Sequence, residues 1–341
     1  MFEDKTILIT GGTGSLGRAL TKKLLKYDIQ SLRIFSRNES KQAEMQAEFD
    51  DPRLRFLIGD VRDQPRVGRA VEGVDIVFHA AALKHVPLIE YNLAESIMTN
   101  VLGSQNVITE CIKNHVEKVV GIGTDKSVSP LNTYGATKLL MEKLFIGSIR
   151  QFSSDKYKTK TVCLRYGNVV ASSGSVIPLF INQIKNKQKI TITDPRMTRF
   201  SLTMNEAIEF IVSSTEKSVG TEVFVPKMRA YNIMDLKDAL IELFGDAEHK
   251  IIQSRPGEKL HELLLSRYEI PTTKELKDRY VILYPQISEL SLDIQDQINN
   301  NYKEYQTAEI NNEYSSDNVK LLSKDEIKNI LTESNLLQDR L

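Results

Sequence analysis

The stretch Thr6-Ile7-Leu8-Ile9-Thr10-Gly11-Gly12-Thr13-Gly14-Ser15-Leu16-Gly17 decides the fold. A short apolar, β-branched run ends in Gly-x-x-Gly-x-x-Gly, and a helical pattern follows from Arg18, with Leu20, Leu24 and Leu25 on one face. Glycines there let the backbone turn tightly and approach a pyrophosphate. The helix start adds free N–H groups and a positive dipole end. Placed between a strand and a helix at the start of a βα unit, the motif predicts a dinucleotide site at Gly11, Thr13, Gly14, Ser15, Leu16 and Gly17.

The alternation continues beyond it. Apolar runs at 32–35, 55–59, 75–78, 118–123 and 160–164 read as further strands separated by helical patterns. Six such strands predict an α/β fold, a Rossmann-type doubly wound parallel sheet with a smaller α/β substrate-binding domain. The expected division is a dinucleotide-binding domain at 1–170, to which about 201–222 return, and a substrate-binding domain at 171–285. Ser172-Ser173-Gly174-Ser175 reads as a flexible loop into the second domain. Residues 286–341 read as a polar, peripheral extension with a short amphipathic helix near 324–331.

Ligands of open α/β sheets bind at the carboxyl ends of the strands. The second strand leads into Ser36-Arg37-Asn38-Glu39-Ser40-Lys41. An acidic residue here would bond the ribose 2′-hydroxyl of NAD. Arg37 and Lys41, with Ser36, suit a 2′-phosphate instead, so NADP is expected. The third strand ends at Asp60-Val61, where Asp60 meets the adenine amino group or caps the next helix. The fourth leads into His79-Ala80-Ala81-Ala82, and these alanines let a dinucleotide pack closely. Lys84 and His85 follow on the same loop. They are candidates for phosphate or sugar, while His79 reads as a core histidine. Asn100 either organises a proton-relay water or pairs with backbone.

The fifth strand delivers Thr124-Asp125-Lys126-Ser127-Val128-Ser129-Pro130-Leu131-Asn132-Thr133-Tyr134-Gly135-Ala136-Thr137-Lys138. Pro130 and Asn132 break the chain into a loop. Tyr134 and Lys138 then share one face of a helix. A phenol with a pKa of about 10 is a poor base at neutral pH. A neighbouring ammonium favours the phenolate, which can take a proton from an alcohol while a hydride leaves for a nicotinamide. Standing alone, Tyr-x-x-x-Lys is also an ordinary amphipathic helix.

Composition narrows the classes. With 41% hydrophobic and 26% charged residues the chain can bury a sizeable core, and its formal net charge of zero argues against a nucleic-acid surface. Cys111 and Cys163 lie in apolar segments without metal-ligand spacing and read as reduced core residues of a cytoplasmic protein, with no metal. The first residues run straight into a strand without a signal pattern, and no apolar run approaches the ~18 residues of a membrane span.

The second half carries compact polar groups between apolar ones. Arg165-Tyr166-Gly167-Asn168-Val169, Val176-Ile177-Pro178, Thr191 and Met197-Thr198-Arg199-Phe200 lead to Arg255-Pro256-Gly257-Glu258-Lys259, which precedes a predicted helix with His261 and 263–265. Arg199 and Arg255 would clamp a diphosphate through their forked guanidinium groups, or form surface ion pairs.

Gly11 to Gly17 with Tyr134 and Lys138 resemble the extended short-chain dehydrogenase/reductases. The resemblance narrows with Phe35-Ser36-Arg37, His79-Ala80-Ala81-Ala82-Leu83-Lys84, Thr124-Asp125-Lys126 and Tyr134-Gly135-Ala136-Thr137-Lys138. Arg165 to Val169, Gly174 to Pro178, Met197 to Phe200 and Arg255 to Glu262 complete it. Together they look like the inverting UDP-N-acetylglucosamine 4,6-dehydratases of bacterial flagellin-sugar and capsule-sugar pathways, from the N-terminus to about Leu265.

That resemblance implies a catalytic set of Thr124, Asp125, Lys126, Tyr134 and Lys138. Tyr134, helped by Lys138, would take the proton of the sugar 4-hydroxyl, Lys126 the C5 proton, and a protonated Asp125 would donate to the departing 6-hydroxyl. NADP would be held by the glycine turn, Ser36, Arg37, Lys41, Asp60, Val61, Ala80, Ala81, Ala82, Lys84, Asn100, Tyr134 and Lys138. The UDP-sugar would meet Lys84, His85, Asn168, Val176, Pro178, Thr191, Arg199, Arg255 and Glu258. Retaining dehydratases usually carry Asp-Glu where this chain has Asp125-Lys126, simple 4-epimerases lack such a pair, and some capsule-pathway relatives have Met in place of Tyr134. An inverting dehydratase working as a homo-oligomer is therefore expected. The alternatives are a UDP-sugar 4-epimerase, a retaining dehydratase or a non-catalytic NADP-binding sensor.

Overall fold

The computed structural model describes residues 1–152, 158–170, 175–254 and 256–334. Its first half repeats one unit. β1 (Thr6–Thr10), α1 (Ser15–Leu24), β2 (Ser31–Ser36), α2 (Glu39–Phe49), β3 (Leu54–Ile58) and α3 (Gln64–Val71) lead to β4 (Ile76–His79). Two short helices, α4 (Val86–Tyr91) and α5 (Leu93–Ser96), pass through a π-helical turn (Ile97–Leu102) into α6 (Gly103–Lys113). β5 (Lys118–Ile122), α7 (Thr133–Phe152) and β6 (Lys160–Leu164) close this half.

The second half mixes short strands with helices. β7 (Asn168–Val169), α8 (Val176–Lys185), β8 (Ile190–Ile192), β9 (Thr198–Leu202), α9 (Met204–Lys217) and β10 (Val223–Pro226) come first. β11 (Arg229–Asn232), α10 (Ile233–Phe244), β12 (His249–Ile251), β13 (Leu263–Leu265), β14 (Thr273–Glu275) and β15 (Arg279–Ile282) follow. The described chain ends with α11 (Leu292–Tyr302), β16 (Tyr314–Ser315) and α12 (Lys324–Glu333).

The main sheet has nine strands in the order β14-β15-β10-β6-β5-β4-β1-β2-β3. β3 through β10 run parallel, and β15 and β14 add antiparallel at one edge. All six expected strands are present. β1, β4 and β5 are buried throughout, which is why they read as unbroken apolar runs. Chain order reverses at β1, between β2 and β4, so the carboxyl end of β1 opens at a topological switch point. Helix starts carry local signals: Asn38 caps α2, Asp63 caps α3 with proline in its first turn, and Thr203 with Glu206 makes a capping box on α9. The expected return at 201–222 falls on α9, which packs on α1.

A second cluster joins α8, α10 and α12 through Ile177, Phe180, Ile184, Leu236, Leu240, Ile327 and Leu331. β11-β9-β7 form a small sheet beside it. Two expectations are corrected here. The apolar run 263–265 is a strand, not a helix, because it pairs with β16 from the C-terminal segment. That segment is not peripheral: Ile298, Tyr302 and Tyr314 enter the main core and Leu331 the second, and the Tyr302 hydroxyl donates to buried Glu222 at 3.0 Å. Among the described residues no helix is long and apolar enough to cross a membrane.

Candidate active site

The glycine turn sits at the end of β1. Gly11 takes φ +67°, in the left-handed region, and an added Cβ would lie 2.8 Å from Ala81 backbone atoms. Gly17 lets α1 lie against the turn, since a Cβ there would meet the Gly12 carbonyl at 2.4 Å. Gly14 is the N-cap of α1 and brings no side-chain cap to the helix start, with Thr13 before it and Ser15 and Leu16 after it. This uncapped helix start fits a pyrophosphate.

Around it, Ser36 ends β2, and the exposed Arg37 guanidinium lies 3.6 Å from Asp60. Lys41 sits in the first turn of α2. Asp60 does not cap α3, a role taken by Asp63; it holds Arg62 through paired contacts at 2.9 and 2.7 Å. Val61 is buried. Ala80, Ala81 and Ala82 follow β4, with Ala81 N–H donating to Thr10 Oγ1 at 3.3 Å. His79 is a core histidine, as read: its ring nitrogens meet Thr10 and Ser104, and burial, with Lys138 nearby, pushes its pKa down to about 3. Asn100 pairs with backbone. It accepts from Leu83 N–H at 2.8 Å, donates to Leu83 O at 2.9 Å and to Thr137 at 3.1 Å, and so ties the loop after β4 to α7.

Past β5, Thr124 opens a single 3₁₀ turn, Asp125–Ser127. The Thr124 hydroxyl donates to Asp125 Oδ1 at 2.9 Å and also bonds Tyr134. Lys126 Nζ donates to Asp125 Oδ1 at 3.0 Å and to Asn168 Oδ1 at 3.2 Å. Asp125 is fully buried, and its Oδ2 has no hydrogen-bond partner among the described residues. Burial pushes the Asp125 pKa up, against the Lys126 charge. Burial alone would lower Lys126, but the Asp125 and Glu262 carboxylates outweigh it and hold the ammonium above the usual lysine range. Gly135 makes the approach of α7 possible, since a Cβ there would lie 2.2 Å from the Lys126 carbonyl.

Tyr134 and Lys138 share a helix face in the first turns of α7. The Lys138 ammonium donates to the Ile122 carbonyl at 2.5 Å and contacts Met141 Sδ at 2.9 Å. Burial lowers its pKa to about 8. Burial likewise raises the Tyr134 phenol, and the cation opposing that rise is Lys126. A cation from the strand end therefore stands near the phenol.

The remaining candidates scatter more. Lys84 opens to solvent after β4, its pKa lowered by lost hydration and by the Lys126 charge. His85 is exposed at the start of α4. Asn168 and Val176 line one crevice with Val169, Val170, Ser175, Ile177 and Tyr231, while Pro178 lies in the first turn of α8. Thr191 is tied to Gln183 rather than aimed at this crevice. Arg199 is buried on β9 and directs its donors to the carbonyls of Thr198, Leu260 and Lys259, at 2.7, 3.0 and 3.0 Å. In this arrangement the guanidinium is turned to backbone carbonyls rather than held as an open fork. Glu258 lies 3.7 Å from Arg199. Arg255 and the loop residues 171–174 lie outside the described residues. Two residues absent from the sequence reading of the site stand beside it: Tyr231, which bonds Asn168, and Glu262, 3.5 Å from Lys126. Tyr231 carries no local signal; Glu262 closes the Arg255–Glu262 stretch, but its contact with Lys126 arises only through the fold.

Sheet, glycine turn and buried Asp–Lys–Tyr cluster define an α/β enzyme of the extended short-chain dehydrogenase/reductase type. The chain belongs to the polysaccharide biosynthesis protein family, which matches residues 7–284. It is 44% identical to the inverting UDP-N-acetylglucosamine 4,6-dehydratase of Campylobacter jejuni, over 93% of this chain and 94% of that one. It is 42% identical to the UDP-glucose 4-epimerase of Rickettsia canadensis, over 100% and 99%. The X-ray structure of Pen from Bacillus thuringiensis superposes with a TM-score of 0.87 at 38% identity, covering 97% of this chain and 99% of the other. The chain is therefore an enzyme of the nucleotide-sugar dehydratase and epimerase family.

Proposed function

We propose that this enzyme is an NADP-dependent, C5-inverting UDP-N-acetylglucosamine 4,6-dehydratase, making a UDP-2-acetamido-2,6-dideoxy-hexos-4-ulose for surface glycans. The observation that carries the proposal is the Asp125–Lys126 pair, 3.0 Å apart beside Tyr134 at the end of β5. Loss of water across C5 and C6 needs a base for one proton and an acid for the departing hydroxyl. A proton passing from Lys126 to Asp125 in the step turns the ion pair into an amine and a carboxylic acid, and the burial that raises the Asp125 pKa assists the transfer. Lys126 then accepts the C5 proton, Asp125 protonates the leaving 6-hydroxyl, and the starting ion pair is restored.

Tyr134 takes the proton of the 4-hydroxyl, with Lys126 as the cation favouring its phenolate. A bound nicotinamide would take hydride from C4 and return it to C6. A solvent proton adds to C5 from the opposite face and inverts that centre, and Tyr134 returns the 4-hydroxyl proton to solvent. For the cofactor, support for NADP comes from Arg37 at the end of β2. Its ion pair with Asp60 is exposed and worth no more than about 1 kcal/mol, so it is free to turn to a 2′-phosphate. Exposed Leu88, Tyr91, Leu93 and Met98 around α4 and α5 support a homo-oligomer, which light scattering tests. The same proposal makes the enzyme cytoplasmic.

A second function, UDP-sugar 4-epimerase, is favoured by the Rickettsia relative. Proton NMR with UDP-N-acetylglucosamine in heavy water separates the two. A 6-deoxy-4-keto product with deuterium at C5 and inverted configuration is expected. Retained configuration would remove Lys126 from its role, and a 4-epimer alone would overturn dehydration.

A further inference from the structure

Lys126 faces a third acceptor from a distant part of the chain. Its ammonium has three protons, and three oxygens surround it: Asp125 Oδ1 at 3.0 Å, Asn168 Oδ1 at 3.2 Å and Glu262 Oε1 at 3.5 Å. The same Glu262 oxygen lies 3.8 Å from Arg199 Nε. The Glu262 side chain is only 5% exposed, and its Oε2 has no hydrogen-bond partner among the described residues. A carboxylate buried in this way is a cost to stability unless its charge is used.

The backbone of Glu262 is held by the C-terminal segment. Ser316 Oγ accepts from Glu262 N–H at 2.9 Å, and Ser316 N–H donates to Glu262 O at 2.9 Å. Thr198 Oγ1 meets both Ser316 Oγ, at 2.7 Å, and His261 Nδ1, at 2.8 Å. This clasp fixes the residue that approaches Lys126.

We propose that Glu262 is a positioning residue for the dehydration step: its carboxylate holds Lys126 Nζ between Asp125 and Asn168, and the clasp at Ser316 holds Glu262. The chemistry rests on the dehydratase proposal, whereas the contact itself does not. The charged and titratable groups facing Lys126 come from several elements. They are Asp125 on its own turn, Glu262 and Lys259 before β13, Arg199 on β9, Tyr134 on α7, Lys84 after β4 and Tyr231 on β11. Two carboxylates therefore stand against three other cations. Without the Glu262 charge, Asp125 alone opposes them, and Lys126 gives up its proton at lower pH.

The test pairs turnover with a direct view of the lysine. Side-chain NMR of isotope-labelled lysine, with the Lys126 signal assigned by its loss in Lys126→Arg, follows titration in the protein without substrate. In Glu262→Gln the Lys126 midpoint is expected to fall by about one unit or more. kcat is expected to drop about tenfold or more while KM stays within about threefold, and the basic limb of the kcat–pH profile, where the pair loses its shared proton, should move down with the lysine. Glu262→Asp should restore part of each effect, and Ser316→Ala should reproduce them in weaker form. An unmoved lysine titration with an unmoved pH profile would overturn the proposal and leave Glu262 as scaffold. Should Glu262→Gln fail to fold, Glu262→Asp and Ser316→Ala decide by the same readouts. Should the unaltered enzyme form no keto sugar, the dehydratase assignment fails, and the lysine titration still decides the role of Glu262.

Discussion

Replacing Gly135 by alanine sets two physical effects of opposite sign against each other. Gly135 lies in the first turn of α7, with its N–H donating to Asn132 Oδ1 at 2.9 Å. Its φ is negative, so alanine suits the backbone and by helix propensity would stabilise by up to about 1 kcal/mol. The new methyl, however, would lie 2.2 Å from the Lys126 carbonyl and 3.0 Å from Pro130 Cβ. Reaching ordinary contact requires α7 and the 3₁₀ turn to part by about 1 Å, since carbon contacts settle near 3.5 Å. Overpacking of this kind costs about 1–3 kcal/mol. The net expectation is a loss of about 1–2 kcal/mol and a fall in Tm of a few degrees. The parting also separates Tyr134 from Lys126, and a displacement of about 1 Å at reacting groups lowers kcat about 100-fold. Calorimetry and initial rates of keto-sugar formation measure both. A variant that melts higher and turns over normally would refute the idea that Gly135 is there for close approach.

Four further outcomes are expected. Tyr134→Phe should lower kcat by about 10²–10⁴-fold with little change in Tm, because a buried phenol is exchanged for a ring of the same shape; single-turnover rates and melts check it. Arg37→Ala should weaken NADP binding by about tenfold and leave NAD binding nearly unchanged, read by isothermal titration. Glu142→Gln should cost about 1–3 kcal/mol, because buried Arg165 loses a charged partner held at 2.5 and 3.0 Å but keeps Glu269 at 2.7 Å, and a urea midpoint measures the loss. Lys138, lowered to about 8 by burial, binds a proton in the unfolded chain up to a pKa near 10.5 but not in the native state above 8. Stability should therefore rise with pH from about 8 toward 10, by up to about 3 kcal/mol for this group. Lys138→Met should flatten that rise in melts recorded from pH 7.5 to 9.5, with Lys118, also lowered to about 8, supplying what remains.

The parts legible in the sequence are those carried by short-range physics. The central strands β1, β4 and β5 reveal themselves because strands covered on both faces need continuous apolar runs. The turn after β1 reveals itself because only glycine tolerates φ +67° beside Ala81. Thr124, Asp125, Lys126 and Tyr134 come together because a strand end and the helix after it are neighbours in any βαβ unit. The antiparallel edge of β15 and β14 was hidden, since its short strands alternate with loops and find their partners only in the finished sheet. The run 263–265 was misread for a related reason. Three apolar residues have no period of their own, and only β16 makes them a strand.

Sequence alone determined the α/β architecture, the glycine turn and the group of residues that meets past β5, because periodicity, turn chemistry and strand-end placement are properties of neighbouring residues. Tertiary structure decided what those residues face. Lys138 has the helical spacing to serve Tyr134, yet its ammonium is directed to the Ile122 carbonyl, while the Lys126 charge bears on the phenol from the end of β5. Arg199 has the chemistry of a phosphate clamp, yet it is spent on three carbonyls. Glu262 closes the Arg255–Glu262 stretch with no role legible there, yet Ser316 fixes it against Lys126. The physical reason is common to all three: the charge state and direction of a buried side chain are set by groups packed around it from remote parts of the chain, and their field acts only once the core has closed.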